Sequence, residues 1–151
     1  MSEHKAIIQW TRQTADFAYD TYNRSHHWDL KDGLTVPVSA AIDFKGDSKH
    51  CDPEEALVGA LASCHMLTFL AIASKKQYVI DAYEDHAIGY LKTAENGGLA
   101  VTHIELRPKV TFSKDKLPSQ SDLQALHDSA HKHCFIANSI KSEVSIIPVI
   151  E

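Results

Sequence analysis

The most apolar part of the chain is the run at residues 56–73, which only three polar side chains interrupt. The four residues before it, DPEE at 52–55, carry the signals of a helix start. Asp52 is a suitable N-cap, Pro53 suits the first helical position, and Glu55 can complete a capping box. A helix that is apolar on nearly every side is typical of one buried by a sheet or by another subunit. We therefore predict a long buried helix here.

Segments rich in strand-favouring residues precede and follow this helix in the sequence. Before it we predict two or three antiparallel strands, with Asp32-Gly33 as a hairpin turn and Pro37 marking an edge strand or a bulge. After it we predict a second antiparallel set, with ENGG as a turn. The segments concerned are AIIQW, DFAYDTY, HWDL and LTVPVSAAIDF before the helix, and YVIDAYEDHAIGYL and LAVTHIELRPKVTF after it.

A second helix is predicted over LPSQSDLQALHDSAHKHC, with Ser119 or Ser121 as its cap. Its inward face consists of residues that recur at helical spacing, namely Leu123, Leu126, Ala130 and Cys134. The segment SEVSIIPVI then ends the chain as a strand. The order strands, long helix, strands, helix, strand indicates an α+β fold in a single domain, residues 1–151.

Composition narrows the classes of function. The formal net charge of −5 and the pI of about 6.0 leave no basic surface of the kind that binds nucleic acid. The opening segment lacks the apolar core of a secretory signal, and the polar interruptions leave no run of about 18 apolar residues for a membrane span. Three cysteines do not make an extracellular disulfide framework. We therefore expect a cytoplasmic protein with reduced thiols that binds neither nucleic acid nor a membrane.

Two of the cysteines, Cys64 and Cys134, lie on the inward faces of the two predicted helices. Thiols on separate inward faces can meet in space, although two unrelated core cysteines would give the same pattern. A thiol in the middle of a helix gains nothing from the helix N-terminus, so its thiolate needs a nearby cation. The arginines that could supply one are Arg12, Arg24 and Arg107.

Glu54 and Arg24 are polar residues with two interpretations each. Glu54 lies in the first turn of the long helix, where it either complements the helix dipole or pairs with an arginine. Arg24 lies in YNRSHHW, a polar stretch between strand-like segments, which is either a solvated loop or a loop folded over a pocket. The residues alone leave both pairs of alternatives open.

The ten histidines and the third cysteine allow another interpretation. Cys51 stands beside the helix N-cap, where the dipole would make it the most acidic thiol by a local argument. Neighbouring histidines could join it in a metal-binding or redox-sensing site, but no CxxC or HExxH spacing is present. His65 is better explained as a hydrogen-bonded histidine of the core.

The segment PEEALVGALASCHMLTF contains Cys64, and a second cysteine, Cys134, follows 70 residues later in AHKHCFIANS. Together these two segments resemble the OsmC/Ohr family of thiol-dependent peroxidases. YDTYNRSHHW and the TVPVSAA stretch look more like an OsmC-like subgroup. The resemblance spans the whole chain. It implies an OsmC-like fold, with antiparallel sheets packed around a long buried central helix, and an intertwined homodimer with its active sites at the subunit interface.

The same resemblance implies a two-cysteine peroxidase that uses no haem, flavin or metal. Cys64 would be the peroxidatic cysteine and Cys134 the resolving one, and Glu54 would pair with an arginine beside the reactive thiol. That arginine is Arg24 by its position, with Arg12 as the alternative. A dithiol or a low-molecular-weight thiol would reduce the enzyme, and burial among apolar helix residues would favour organic hydroperoxides over H₂O₂. These helix residues are Leu57, Leu61, Leu67 and Phe69.

Two other classes of function compete with this one. A non-catalytic, stress-related ligand-binding module of the same fold would have the apolar pocket but would lose no thiol to peroxide. A metal-binding or redox-sensing Cys/His protein would bind zinc stoichiometrically.

Overall fold

The computed structural model describes residues 1–149 of the chain and shows an α+β protein with a long helix and mainly antiparallel sheets. The residues group into two compact units, Met1–Ala56 and Leu57–Glu151. Each unit is described here by itself, and a single domain over residues 1–151 stays a prediction.

The first unit is built on a three-stranded antiparallel sheet in the order β1-β2-β3. The predicted hairpin is confirmed, because Asp32 and Gly33 take positive φ angles of 55° and 76° between β2 and β3. Pro37 lies in β3, at the edge of the sheet, as expected of a residue without an N–H donor. The strands are β1 at Ile7–Gln9, β2 at His26–Asp29 and β3 at Thr35–Val38.

The segment DFAYDTY was predicted to be strand-like, and this is wrong. Residues 16–22 form a turn in which the N–H of Tyr22 donates to the carbonyl oxygen of Ala18 at 3.0 Å. The hydroxyl of Thr21 donates to the Asp16 carboxylate at 2.8 Å. Local side-chain bonds of this type compete with sheet pairing.

The long helix α1 spans Pro53–Lys75 and begins where the sequence predicts. The N–H of Glu55 donates to Asp52 Oδ1 at 2.7 Å, and the N–H of Asp52 donates to Glu55 Oε2 at 3.2 Å. Both bonds of the capping box are therefore present.

Burial of α1 is restricted to one stripe, Leu61, His65, Phe69 and Ala73, at a spacing of four residues. The expectation that Leu67 is buried with its neighbours is wrong, since that side chain is 60% exposed.

The expectation that no segment is long and apolar enough to cross a membrane is also wrong. By length and composition α1 passes that test, with a mean hydropathy of 1.9, because its three polar side chains barely lower the average. Core helices of soluble proteins pass the same test.

The second unit contains the remaining strands and the second helix. Strands β4 and β7 pair antiparallel, and so do β5 and β6, as predicted for this region. The last strand, β8, pairs with β6 in parallel, which the sequence does not predict. The strands are β4 at Ile80–Asp85, β5 at Ile88–Thr93, β6 at Leu99–Leu106, β7 at Pro108–Phe112 and β8 at Glu143–Ile146.

Helix α2 spans Gln120–His133, and Ser119 caps it in a capping box with Asp122. Cys134 is the C-cap, so it stands just outside the helix in which it was predicted. Two buried clusters form the core of this unit. The first is Leu61, Ile104, Leu106 and Cys134, and the second is Phe69, Ala73, Leu126 and Ala130.

Candidate active site

The structure brings the Cys64 and Cys134 side chains together. Cys64 lies on α1 and packs against the first core cluster, of which Cys134 is a fully buried member. The Cys134 thiol donates a hydrogen bond to the sulfur of Cys64. Both residues are free thiols rather than a disulfide. The site therefore consists of one half-buried sulfur that accepts and one buried sulfur that donates.

The two thiols have opposite shifts in pKa. Burial tends to raise the pKa of Cys64, but hydrogen bonds from Cys134 and from the backbone N–H groups of Ile136 and Phe135 lower it below its ordinary value. The hydroxyl of Thr68, which also donates to the Cys64 carbonyl oxygen at 2.8 Å, adds to the lowering. Burial and the bond given to Cys64 raise the pKa of Cys134 to about 11. Cys64 is therefore the more acidic thiol of the pair.

The sequence interpretation missed the backbone N–H groups after α2 that lower the pKa of Cys64. A backbone N–H belongs to every residue except proline, so Phe135 and Ile136 carry no side-chain signal for this role. The sequence interpretation required a cation for Cys64, whereas the pKa-lowering interactions found on this thiol are hydrogen bonds from neutral groups.

Arg12, Arg24 and Glu54 lie in the first unit. Arg107 lies in the second unit, where its guanidinium donates to Glu105 Oε2 at 2.6 Å. Arg24 is half-buried, and its guanidinium donates to the carbonyl oxygens of Tyr22, at 2.6 Å, and Tyr19. The same group stacks on the Tyr22 ring at 3.8 Å from the centroid. Arg12 is exposed and donates to backbone carbonyls of its own loop. Glu54 is half-buried in the first turn of α1. Their positions relative to the thiol pair stay predictions.

Cys51 is not the acidic thiol that the local argument predicts. Burial raises its pKa, and the charges of Glu55 and Asp52 raise it further. Burial, with the carboxylates of the capping box, thus decides the direction of the pKa shift at this position. Over residues 1–149, no three His, Cys, Asp or Glu side chains lie close enough together to hold a metal ion.

His65 is a buried core histidine, as predicted, and its hydrogen-bond partner is His127 of α2. His65 Nε2 and His127 Nδ1 lie 3.1 Å apart, and the rings are stacked. Burial lowers the pKa of each to about 4, and His127 and His131 add to the effect on His65. The pair is therefore uncharged at neutral pH.

An α+β fold that holds a thiol of lowered pKa against one of raised pKa has the elements of a thiol-redox protein. The chain belongs to the OsmC family, because the family model described as OsmC-like protein matches residues 46–148. A solved OsmC-like protein of unknown function from Vibrio cholerae O1 biovar eltor is 40% identical to it. That structure superposes with a TM-score of 0.94, covering 99% of this chain and 100% of the other.

Two further relatives are more distant. The uncharacterised protein YmaD of Bacillus subtilis is 24% identical over 128 residues, which is 82% of this chain and 83% of YmaD. An organic hydroperoxide resistance protein from Elizabethkingia anophelis shares the fold at 16% identity. Its TM-score is 0.77, with 100% of this chain and 98% of the other covered.

Proposed function

We propose that the protein is a two-cysteine peroxidase that reduces organic hydroperoxides to alcohols. The observation that carries this proposal is the contact between Cys64 and Cys134, in which the pKa of Cys64 is lowered and that of Cys134 is raised. A nucleophilic thiolate beside a protonated thiol is what the first and second halves of a two-cysteine cycle require. Membership of the family to which hydroperoxide resistance proteins belong supports it.

The cycle follows from this arrangement. The Cys64 thiolate attacks one peroxide oxygen of ROOH, the O–O bond breaks, and the alkoxide takes up a proton and leaves as ROH. Cys64 is then a sulfenic acid. The Cys134 sulfur attacks it, a disulfide forms, and the thiol proton leaves with the hydroxyl group as water. Two equivalents of thiol, or one dithiol, return both cysteines to the reduced state.

Arg24 and Glu54 complete the proposed site. A guanidinium beside Cys64 would bind the peroxide oxygens, and a carboxylate would hold it by paired hydrogen bonds. Arg24 is the candidate for the first role because it lies in a half-buried polar loop, whereas Arg12 is exposed. Glu54 is the candidate for the second role because it lies on the helix that carries Cys64.

A homodimer and an apolar substrate fit the surroundings of Cys64. The buried side chains of Leu61 and Phe69 belong to the same helix, which favours a substrate with an apolar group. The exposed apolar side of α1 is suited to covering by a second copy of the chain. A cytoplasmic location would supply the thiol reductant.

The proposal is tested by free-thiol titration with mass mapping, before and after one equivalent of cumene hydroperoxide, and in parallel of H₂O₂. In the wild type we expect the loss of two thiols and a Cys64–Cys134 disulfide, faster with cumene hydroperoxide. Cys64→Ser should abolish the reaction, and Cys134→Ser should stop it at a sulfenic acid. Cys51→Ser is the matched control and should behave as the wild type.

Unchanged thiols in the wild type would contradict the peroxidase and favour a ligand-binding module of the same fold. Equal rates with the two peroxides would contradict only the preference for organic substrates.

A further inference from the structure

A buried hydrogen bond joins the two helices where the two core clusters meet. His65 Nε2 of α1 and His127 Nδ1 of α2 lie 3.1 Å apart, and both side chains are fully buried. On α1, His65 stands between Leu61 of the first cluster and Phe69 of the second. The ring of His127 packs on that of Phe69, with their centroids 4.5 Å apart. One polar contact is thus enclosed by apolar side chains.

Each histidine is connected through its own helix to one of the two cysteines. Cys64 directly precedes His65 on α1. Cys134 follows His127 by seven residues, about two helical turns, and both are fully buried on the same side of α2. The N–H of Cys134 still donates to the carbonyl oxygen of His131, at 3.3 Å. Cys134 therefore moves with α2, and Cys64 moves with α1.

The histidine bond selects one register of the two helices. Apolar contacts alone are less selective, because a core tolerates the exchange of one apolar side chain for another of similar volume. A shift that breaks a buried hydrogen bond leaves polar atoms without partners in the core. The remaining ring nitrogens, His65 Nδ1 and His127 Nε2, have no hydrogen-bond partner among the described residues. Neither ring therefore has a second protein contact that would compensate for loss of the first.

We propose that His65 and His127 are positioning residues, whose bond fixes the register of α2 on α1 and so holds Cys134 against Cys64 for disulfide formation. The inference rests on the proposed function and deepens it. Cys64 packs against the core cluster that contains Cys134. A disulfide requires Cα atoms within about 7 Å of each other and Cβ atoms about 4 Å apart, so a small slip of one helix separates the sulfurs.

Replacement of both histidines tests this role without leaving a buried polar atom. The double variant His65→Leu/His127→Leu has two apolar side chains in their place, a change that can be nearly neutral for stability. His65→Gln is the conservative variant, because its side-chain amide reaches the position of His65 Nε2 and restores the bond. Leu123→Ala is the matched control, since Leu123 of α2 packs against the second core cluster. All variants carry Cys51→Ser, so that only the thiol pair reacts.

The experiment equilibrates each protein with reduced and oxidised glutathione and measures the disulfide fraction by thiol trapping with mass mapping. The two protein thiols form the Cys64–Cys134 bond, and their protons pass to the two glutathione thiols released from one oxidised glutathione. We expect the double leucine variant to lower this equilibrium constant by about fivefold, the equilibrium worth of a typical hydrogen bond. Its free energy of unfolding should stay close to that of the wild type.

His65→Gln should keep the wild-type equilibrium constant. Leu123→Ala should also keep it, although this variant lowers the free energy of unfolding. If the double leucine variant does not fold, His65→Leu alone is compared with His65→Gln. A second measurement needs no variant: in protein labelled at the histidine nitrogens, NMR detects the coupling between the two ring nitrogens across the N–H···N bond.

Absence of that coupling, or a wild-type equilibrium constant in the double leucine variant, would refute the positioning role. An equal loss in Leu123→Ala would also refute it, because the effect would then come from general loosening of the core. A lowered constant in the double leucine variant alone, without any peroxide-dependent disulfide in the wild type, would refute the proposed function and leave the positioning role standing.

Discussion

At the scale of single residues, hydrogen-bond partners decide which side chains carry charge. His65 and His127 satisfy one ring nitrogen of each in their mutual bond, and both rings are buried. An added proton would place a charge in the core, on a nitrogen that has no hydrogen-bond partner among the described residues, so the folded protein holds both rings neutral. Their pKa of about 4 lies below the 6.5 of a free histidine. The resulting stability is fully present above pH 6.5 and is lost as the pH falls toward 4.

We therefore predict that the free energy of unfolding falls in mild acid by about 1.4 kcal/mol per pH unit for each of the two histidines. His127→Gln keeps a hydrogen-bonding group near His65 but removes one titration, so the slope between pH 6 and 5 should fall by that amount. Urea unfolding at several pH values measures it, and exposed His4→Gln is the control. Equal slopes in wild type and His127→Gln would contradict the prediction.

At the scale of elements, the sequence predicts what is encoded locally. Asp52 and Glu55 specify the start of α1, and Ser119 specifies that of α2, because caps and first turns depend on neighbouring residues. Parallel pairing of β8 with β6 depends on residues about 40 positions apart and leaves no local pattern. The backbone N–H groups that lower the pKa of Cys64 were missed for a different reason, since they carry no side-chain signal. The prediction that Cys64 and Cys134 act as a pair came from family resemblance rather than from spacing.

Packing of β5 on α1 gives a prediction of its own. A Cβ at Gly89 would lie 2.5 Å from Val58 Cγ2 and 3.3 Å from Val101 Cγ1. Valine in a helix is held in one rotamer, so Val58 cannot turn away. We expect Gly89→Ala to reduce the free energy of unfolding by about 1–3 kcal/mol, as overpacking does.

The matched control is Gly59→Ala, in α1, where an added Cβ meets nothing within 4 Å. It should leave stability unchanged or raise it by up to about 1 kcal/mol. In a double-mutant cycle, Val58→Ala should relieve part of the cost of Gly89→Ala. Strictly additive effects in urea unfolding would show that the close approach does not exist.

At the scale of the whole molecule, the exposed side of α1 remains to be covered. Ala60, Ser63, Leu67 and Ala71 recur there at intervals of three or four residues and form one continuous face. A second copy of the chain and a lipid bilayer are both able to cover such a face, since α1 is long and apolar enough for either. Small residues allow two helices to approach closely, and core helices of soluble proteins can be as long and apolar as α1, so we favour the second copy.

We predict that the protein is a dimer of twice 16.8 kDa and that Leu67→Glu converts it toward monomer. If the two α1 helices pack through this face about a twofold axis, the substitution places two carboxylates near each other in a dry interface, which is strongly unfavourable. Sedimentation equilibrium measures the mass, and Leu117→Glu, at a side chain 66% exposed outside the helix, is the matched control. A wild-type monomer, or a Leu67→Glu dimer as tight as the wild type, would exclude this face as the interface. Binding of the wild type to lipid vesicles, lost in Leu67→Glu, would instead assign the face to a membrane.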